Sequence, residues 1–120
     1  MQENEEKSKA RREQLYEGMY IVSAHLTDEA RTKTFEKIKN GIVQRGGIIK
    51  KIHDQGKRRL AYPIAHNREG CYYIFFFEAE PKVIPELWQE YHLTENLLRF
   101  VTRRTNKVLD ELKFKQLPEL

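Results

Sequence analysis

Residues 56–80 read GKRRLAYPIAHNREGCYYIFFFEAE, and the order of chemistry along them decides the fold. Lys57, Arg58 and Arg59 stand directly before Leu60, Tyr62 and Ile64. Period two places those three apolar side chains on one face of an extended strand. Pro63 has no N–H to give to a ladder, so this strand belongs at the edge of a sheet. Past the turn AHNREG, the aromatic and β-branched run CYYIFFFEAE reads as a further strand, closed by Pro81. Within it Tyr73, Phe75 and Phe77 share one face, and Tyr72, Ile74 and Phe76 the other. One set must pack on helices; the other is exposed, stacked on bases or covered by a protein.

Working outward, residues 48–64, IIKKIHDQGKRRLAYPI, form one unusually long strand, with Gly56 marking a bulge or bend. An opening strand over 15–24, LYEGMYIVSA, places Tyr16, Tyr20 and Val22 on one face and Met19 and Ile21 on the other. Between the two, Thr27 is placed to cap a helix, with Asp28 and Glu29 in the first turn where the helix dipole favours acids. Phe35, Ile38 and Ile42 recur at helical spacing, and Gly46-Gly47 ends that helix. Downstream, Val83, Ile84, Leu87, Trp88 and Tyr91 form a second helical stripe, which tolerates Pro85 in its first turn. Thr94-Glu95-Asn96 breaks it before a last strand, LLRFVTRR.

The order β-α-β-β-α-β predicts an α+β, ferredoxin-like split sandwich, a four-stranded antiparallel sheet with two helices on one face. The opposite sheet face is then open. The domain covers 15–105. Residues 1–14 mix acids and cations with almost nothing to bury and read as a flexible charged extension. Residues 106–120 form a C-terminal tail whose scattered apolar residues have no place in that core.

A chain of 120 residues can build one core and not two comfortable ones. Its net charge of +4 is a moderate bias, but the charges are unevenly spread. Residues 98–107, LRFVTRRTNK, carry Arg99, Arg103, Arg104 and Lys107 with no acid, and residues 50–59 carry five cations against Asp54 alone. Two such clusters in one small domain favour a polyanionic partner. The single cysteine, Cys71, excludes an intramolecular disulfide, fits a reducing compartment and reads as a small packing residue. No apolar stretch approaches membrane-spanning length, and the first residues lack the apolar segment of a secretory signal.

The segment GKRRLAYPIAHNREGCYYIFFFEAE strongly resembles the signature of the bacterial small-subunit ribosomal protein S-six family. There, glycine, basic residues and Leu-Ala-Tyr-Pro-Ile precede a short turn and an aromatic strand. YEGMYIV at 16–22, GGIIKKIHDQG at 46–56 and ENLLRFVTRR at 95–104 are similar to its other strands, so the resemblance covers roughly 15–104. The N-terminal extension is longer than the usual start, and the tail carries no signature. The resemblance implies a structural RNA-binding protein of the small-subunit platform, in the cytoplasm on the ribosome. It would bind the 16S-type ribosomal RNA as a heterodimer with the small basic ribosomal protein S-eighteen. It implies no catalysis, no cofactor, no metal and no small-molecule substrate.

The expected RNA contacts are Arg99, Arg103 and Arg104, then Lys107, then Lys57, Arg58 and Arg59, and more weakly Arg11 and Arg12. Arginine's planar fork grips phosphate in two places and its flat face stacks on a base. Arg99 interrupts an apolar strand and so should face the open side of the sheet, with Arg103 on the same side. A single surface cation is as often merely solvating. Lys57, Arg58 and Arg59 also have a structural explanation, since charges beside a proline defend an edge strand against pairing with a stranger. The family reading adds a companion protein covering the surface around Leu60, Tyr62 and Ile64.

Other classes fit less of the chain. A free-standing single-strand RNA binder would use the aromatic strand as RNA-recognition motifs do, but Glu69 and Cys71 flank Gly70 where that pattern differs. A partner-binding or small-molecule-sensing ferredoxin-like domain without RNA is a third class. Acylphosphatases share the architecture, yet SAHLTDE after the first strand supplies neither the glycine nor the arginine of their phosphate loop. His25, His53, His66 and His92 are dispersed, with no two at metal-ligand spacing.

Overall fold

The computed structural model describes residues 13–110. Strand β1 (Gln14–Ser23) is followed by helix α1 (Asp28–Gln44), strands β2 (Ile48–Ile64) and β3 (Asn67–Ala79), helix α2 (Val83–His92) and strand β4 (Leu97–Arg104). The strands form one antiparallel sheet in the order β2-β3-β1-β4, so β2 and β4 are its edges. This is the ferredoxin-like arrangement that the order of elements predicts. Of the expected extension over 1–14, residues 1–12 lie outside the described residues and Gln14 begins β1; residues 111–120 of the tail lie outside them too.

Local chemistry sets most of the boundaries. Thr27 Oγ1 accepts a hydrogen bond from the amide of Ala30 at 3.1 Å, satisfying one of the donors that the first turn of α1 leaves orphaned. At the other end Gly46 takes φ +82°, and the amide of Gly47 returns to the carbonyl of Ile42 at 2.9 Å. In β2 the register slips between Asp54 and Gly56, where Gly56 has φ +75° and its amide donates to Asp54 Oδ1 at 2.9 Å. The glycine of the long strand is thus at a bulge, as its position in the sequence predicts.

The hairpin turn is tighter than expected. Only Ala65 and His66 separate β2 from β3, and both have positive φ. Neither residue favours such a turn, so nothing at those two positions announces it. Asn67 compensates: its Nδ2 donates to the carbonyls of Ile64 and Ala65 at 3.2 and 3.0 Å, and its Oδ1 accepts from Ser23 Oγ at 2.8 Å.

The main core lies between the sheet and both helices. Tyr16, Tyr20 and Val22 of β1 and Tyr73, Phe75 and Phe77 of β3 meet Ile38 and Ile42 of α1 and Val83, Ile84, Leu87 and Tyr91 of α2. At its centre the hydroxyls of Tyr20 and Tyr91 are 2.8 Å apart and share a hydrogen bond. Burial pushes the Tyr20 phenol well above its ordinary value and Tyr91 up to about 12. Trp88, expected in the same stripe, is instead 41% exposed. One position past Leu87, it is turned about 100° out of the core and leans on edge strand β4, where its Nε1 donates to Thr102 Oγ1 at 3.2 Å.

The other sheet face carries no helix, yet it is not bare. Ile21, Leu60 and Tyr72 form a second buried cluster, on which Ile64 and Leu98 pack. Phe76 is fully buried, with the His53 ring edge-on at 5.9 Å. The chain after β4 contributes to this cover. The amide of Thr105 donates to the carbonyl of Leu15 at 3.0 Å, and four residues later the carbonyl of Leu109 accepts from His53 Nε2 of β2 at 2.7 Å. Residues 105–109 therefore pass from the β4 side of the sheet to its β2 edge, and the first part of the tail has a place against the domain. Val108 and Leu109 are too few to set up a period that would reveal it.

Candidate nucleic-acid interface

Strand β4 aims its arginines by alternation. Arg99 pairs in register with Ile21 and Arg103 with Glu17, so both point to the helix-free face, as their spacing predicts. Arg104 pairs with Tyr16 and points to the helix side. Their environments differ. The Arg99 guanidinium donates to Tyr62 Oη at 2.9 Å and sits 5.6 Å from the centre of that ring. Arg103 holds Glu17 Oε1 through Nε and NH2, at 3.2 and 3.0 Å. Arg104 and Lys107 are exposed, and neither has an ion pair among the described residues.

The cations of β2 lie along its outer edge. Lys57 is 4.0 Å from Glu69, Arg58 Nε donates to the carbonyl of Gln55 at 3.1 Å, and Arg59 is exposed with no ion pair among the described residues. Register fixes where this group sits. Arg58 pairs with Gly70, which pairs with Ser23 at the end of β1, whereas Arg104 pairs with Tyr16 near its start. From Tyr16 to Ser23 a strand advances about 23 Å, so Lys57, Arg58 and Arg59 lie at the opposite end of the sheet from Arg104, whereas Lys51, opposite Phe76, and Lys50, 3.5 Å from Glu78, lie at the Arg104 end. Arg99, adjacent in sequence to the β4 group, belongs in space with Tyr62 and the β2 group. The remaining candidates, Arg11 and Arg12, lie outside the described residues.

The three apolar residues expected to meet a companion do not behave alike. Leu60 is buried against Ile21 and Tyr72, and Ile64 packs on that cluster. Tyr62 stays 37% exposed beneath Arg99, between exposed Ala61 and Pro63. What this corner offers outward is therefore Ala61-Tyr62-Pro63 and the cations around it. Arg68, also exposed near the hairpin tip, extends the basic group; a lone arginine inside a presumed turn gave no reason to single it out.

The aromatic strand offers no platform for bases. Tyr73, Phe75 and Phe77 are buried under the helices, and Tyr72 and Phe76 are buried on the other face. This removes the feature on which the free-standing single-strand binder rested: with both strand faces covered, no β3 ring has a free side. Cys71 is buried, with its Sγ 3.9 Å from Arg31 NH1, which fits a packing residue. Among the described residues no group of three His, Cys, Asp or Glu side chains could hold a metal ion, and no helix is long and apolar enough to cross a membrane.

Comparison with known proteins agrees with this fold. Residues 15–104 match the family model described as Ribosomal protein S6. The small ribosomal subunit protein bS6 of Protochlamydia amoebophila (strain UWE25) is 54% identical over 105 residues, covering 88% of this chain and 92% of that protein. The bS6 protein of Chlamydia felis (strain Fe/C-56) is 55% identical over 106 residues, covering 88% and 95%. The crystal structure of 30S ribosomal protein S6 from Thermotoga maritima superposes with a TM-score of 0.73 at 32% identity, over 78% of this chain and 88% of that one. Fold, signature segment and similarity over 88% of the chain coincide, and the chain belongs to the ribosomal protein S6 family, structural and non-enzymatic components of the small ribosomal subunit.

Proposed function

We propose that the protein binds small-subunit ribosomal RNA together with ribosomal protein S-eighteen, as a heterodimer on the small subunit. The observation that carries the reading is the set of exposed cations without carboxylate partners among the described residues, Arg59 on β2 and Arg104 and Lys107 at the end of β4. Cations at both ends of a rigid sheet can bridge phosphates of a folded RNA across about 23 Å and so select its shape rather than its sequence. The net charge of +4 is modest, so the isolated chain binds RNA weakly. A companion seated near Ala61-Tyr62-Pro63 adds a second basic surface in fixed geometry and raises the affinity. Filter-binding titrations of small-subunit ribosomal RNA, with and without S-eighteen, test this. Weak, salt-sensitive binding that tightens with the companion is expected. Tight binding by the chain alone that ignores salt, or no retention even with the companion, contradicts it.

A further inference from the structure

We propose that the indole of Trp88 is a stacking platform for an unpaired nucleobase of the bound RNA, with Arg104 holding an adjoining phosphate. The inference rests on the RNA-binding reading and assigns it a residue and a mode of contact.

Among the described residues, only Tyr62 and Trp88 are large aromatics left substantially exposed, at 37% and 41%. The Tyr62 ring already carries the Arg99 guanidinium. Trp88 carries nothing comparable: its hydrogen bond to Thr102 satisfies its one polar atom and pins the ring against β4. An apolar ring held in one orientation at a sheet edge loses little entropy when a flat partner lands on it. Thr102 and Arg104 share the helix side of β4, about 7 Å apart along the strand, so one nucleotide can touch both ring and guanidinium. The acids of α2 do not oppose this, because Glu86 and Glu90 turn away to pair with Arg45 of α1. An exposed arginine with no carboxylate partner among the described residues, on the same strand face as the threonine that holds an exposed aromatic ring, is the chemistry of single-strand recognition, and sequence-tolerant stacking supplies the contact.

Trp88 is the chain's single tryptophan, so its emission reports on this site alone. The wild-type protein is titrated with single-stranded oligoadenylate and, separately, with duplex RNA of equal length, following tryptophan fluorescence. In parallel, filter binding to small-subunit ribosomal RNA compares wild type, Trp88→Phe and Trp88→Ala, with circular dichroism confirming the fold. Quenching by the single strand and not by the duplex is expected. Trp88→Ala should bind about five- to hundred-fold more weakly, and Trp88→Phe should retain most of the affinity. If RNA binds with unchanged emission and Trp88→Ala binds equally well, the stacking site is overturned while RNA binding stands. If emission responds to S-eighteen and not to RNA, a protein covers the indole and the inference fails. If the wild-type chain retains no RNA, with or without the companion, the reading beneath it fails too.

Discussion

His53 Nε2 donates to the backbone carbonyl of Leu109 at 2.7 Å, joining residues 56 positions apart and tying the chain beyond β4 to the opposite edge of the sheet. A carbonyl only accepts, so the imidazole carries its proton on Nε2 in this contact. The bond is solvent-exposed and, among the described residues, the one hydrogen bond from the sheet to the chain beyond Thr105, which makes residues 106–110 a segment that opens without global unfolding. His53→Ala should lower stability by only about 0.5–1.5 kcal/mol. It should speed limited proteolysis within residues 106–110, while the Thr105 amide, held by the Leu15 carbonyl, and the amides of β3 stay protected from hydrogen exchange.

The Tyr20–Tyr91 pair makes a sharper prediction about the core. Tyr20→Phe leaves the Tyr91 hydroxyl without its partner in an apolar setting, at a cost of about 1–3 kcal/mol. Removing both hydroxyls should cost less than the sum of the single changes. Urea unfolding of the two single variants and the double variant measures this directly.

Alkaline pH should weaken the fold through the same residues. Both phenols titrate above the ordinary 10.0 when folded, Tyr91 at about 12, so the native state holds protons that the unfolded chain has lost. Their contribution is complete below pH 10 and is lost as pH rises toward and through about 12. Urea midpoints should be flat from neutrality to about pH 9 and fall above it. The fall should be shallower in the variant lacking both hydroxyls.

Gly18 lies on the helix side of β1, where a Cβ would stand 2.6 Å from the Tyr20 hydroxyl. Gly18→Ala must displace that ring, whose hydroxyl shares the hydrogen bond with Tyr91, and should destabilise by about 1–3 kcal/mol. A melting temperature equal to that of wild type would show that the ring relocates freely.

Glu17 tempers one arginine of the basic set. Glu17→Gln releases Arg103 and should strengthen RNA binding and steepen its salt dependence by about one counterion, whereas Arg104→Ala should reduce the slope by about as much. Arg103→Ala should cost less than Arg104→Ala, because its guanidinium must first leave a carboxylate. Salt-series filter binding distinguishes these outcomes.

The elements were legible because their signals are strong and local. Thr27, Gly46 and Gly56 each mark a cap, a stop or a bulge, and alternation assigned Tyr73, Phe75 and Phe77 to one face and Arg99 with Arg103 to the other. What escaped depends on contacts between distant residues. The Ala65-His66 turn is held by Asn67 and, through it, by Ser23. The tail's course depends on His53, and the exposure of Trp88 on how Leu87 fills the core. The cationic groups were visible as composition, but only strand register sets Lys57, Arg58 and Arg59 at the opposite end of the sheet from Arg104, leaves Lys50 and Lys51 at the Arg104 end, and brings Arg99 to Tyr62.

Sedimentation of small ribosomal subunits through a high-salt cushion bears most directly on the proposed assembly. A chain anchored by phosphate contacts at both ends of its sheet and by a companion should remain with the subunit peak, and a variant lacking Arg59, Arg104 and Lys107 should be depleted from it. Wild-type chain recovered wholly in the unbound fractions would contradict the account.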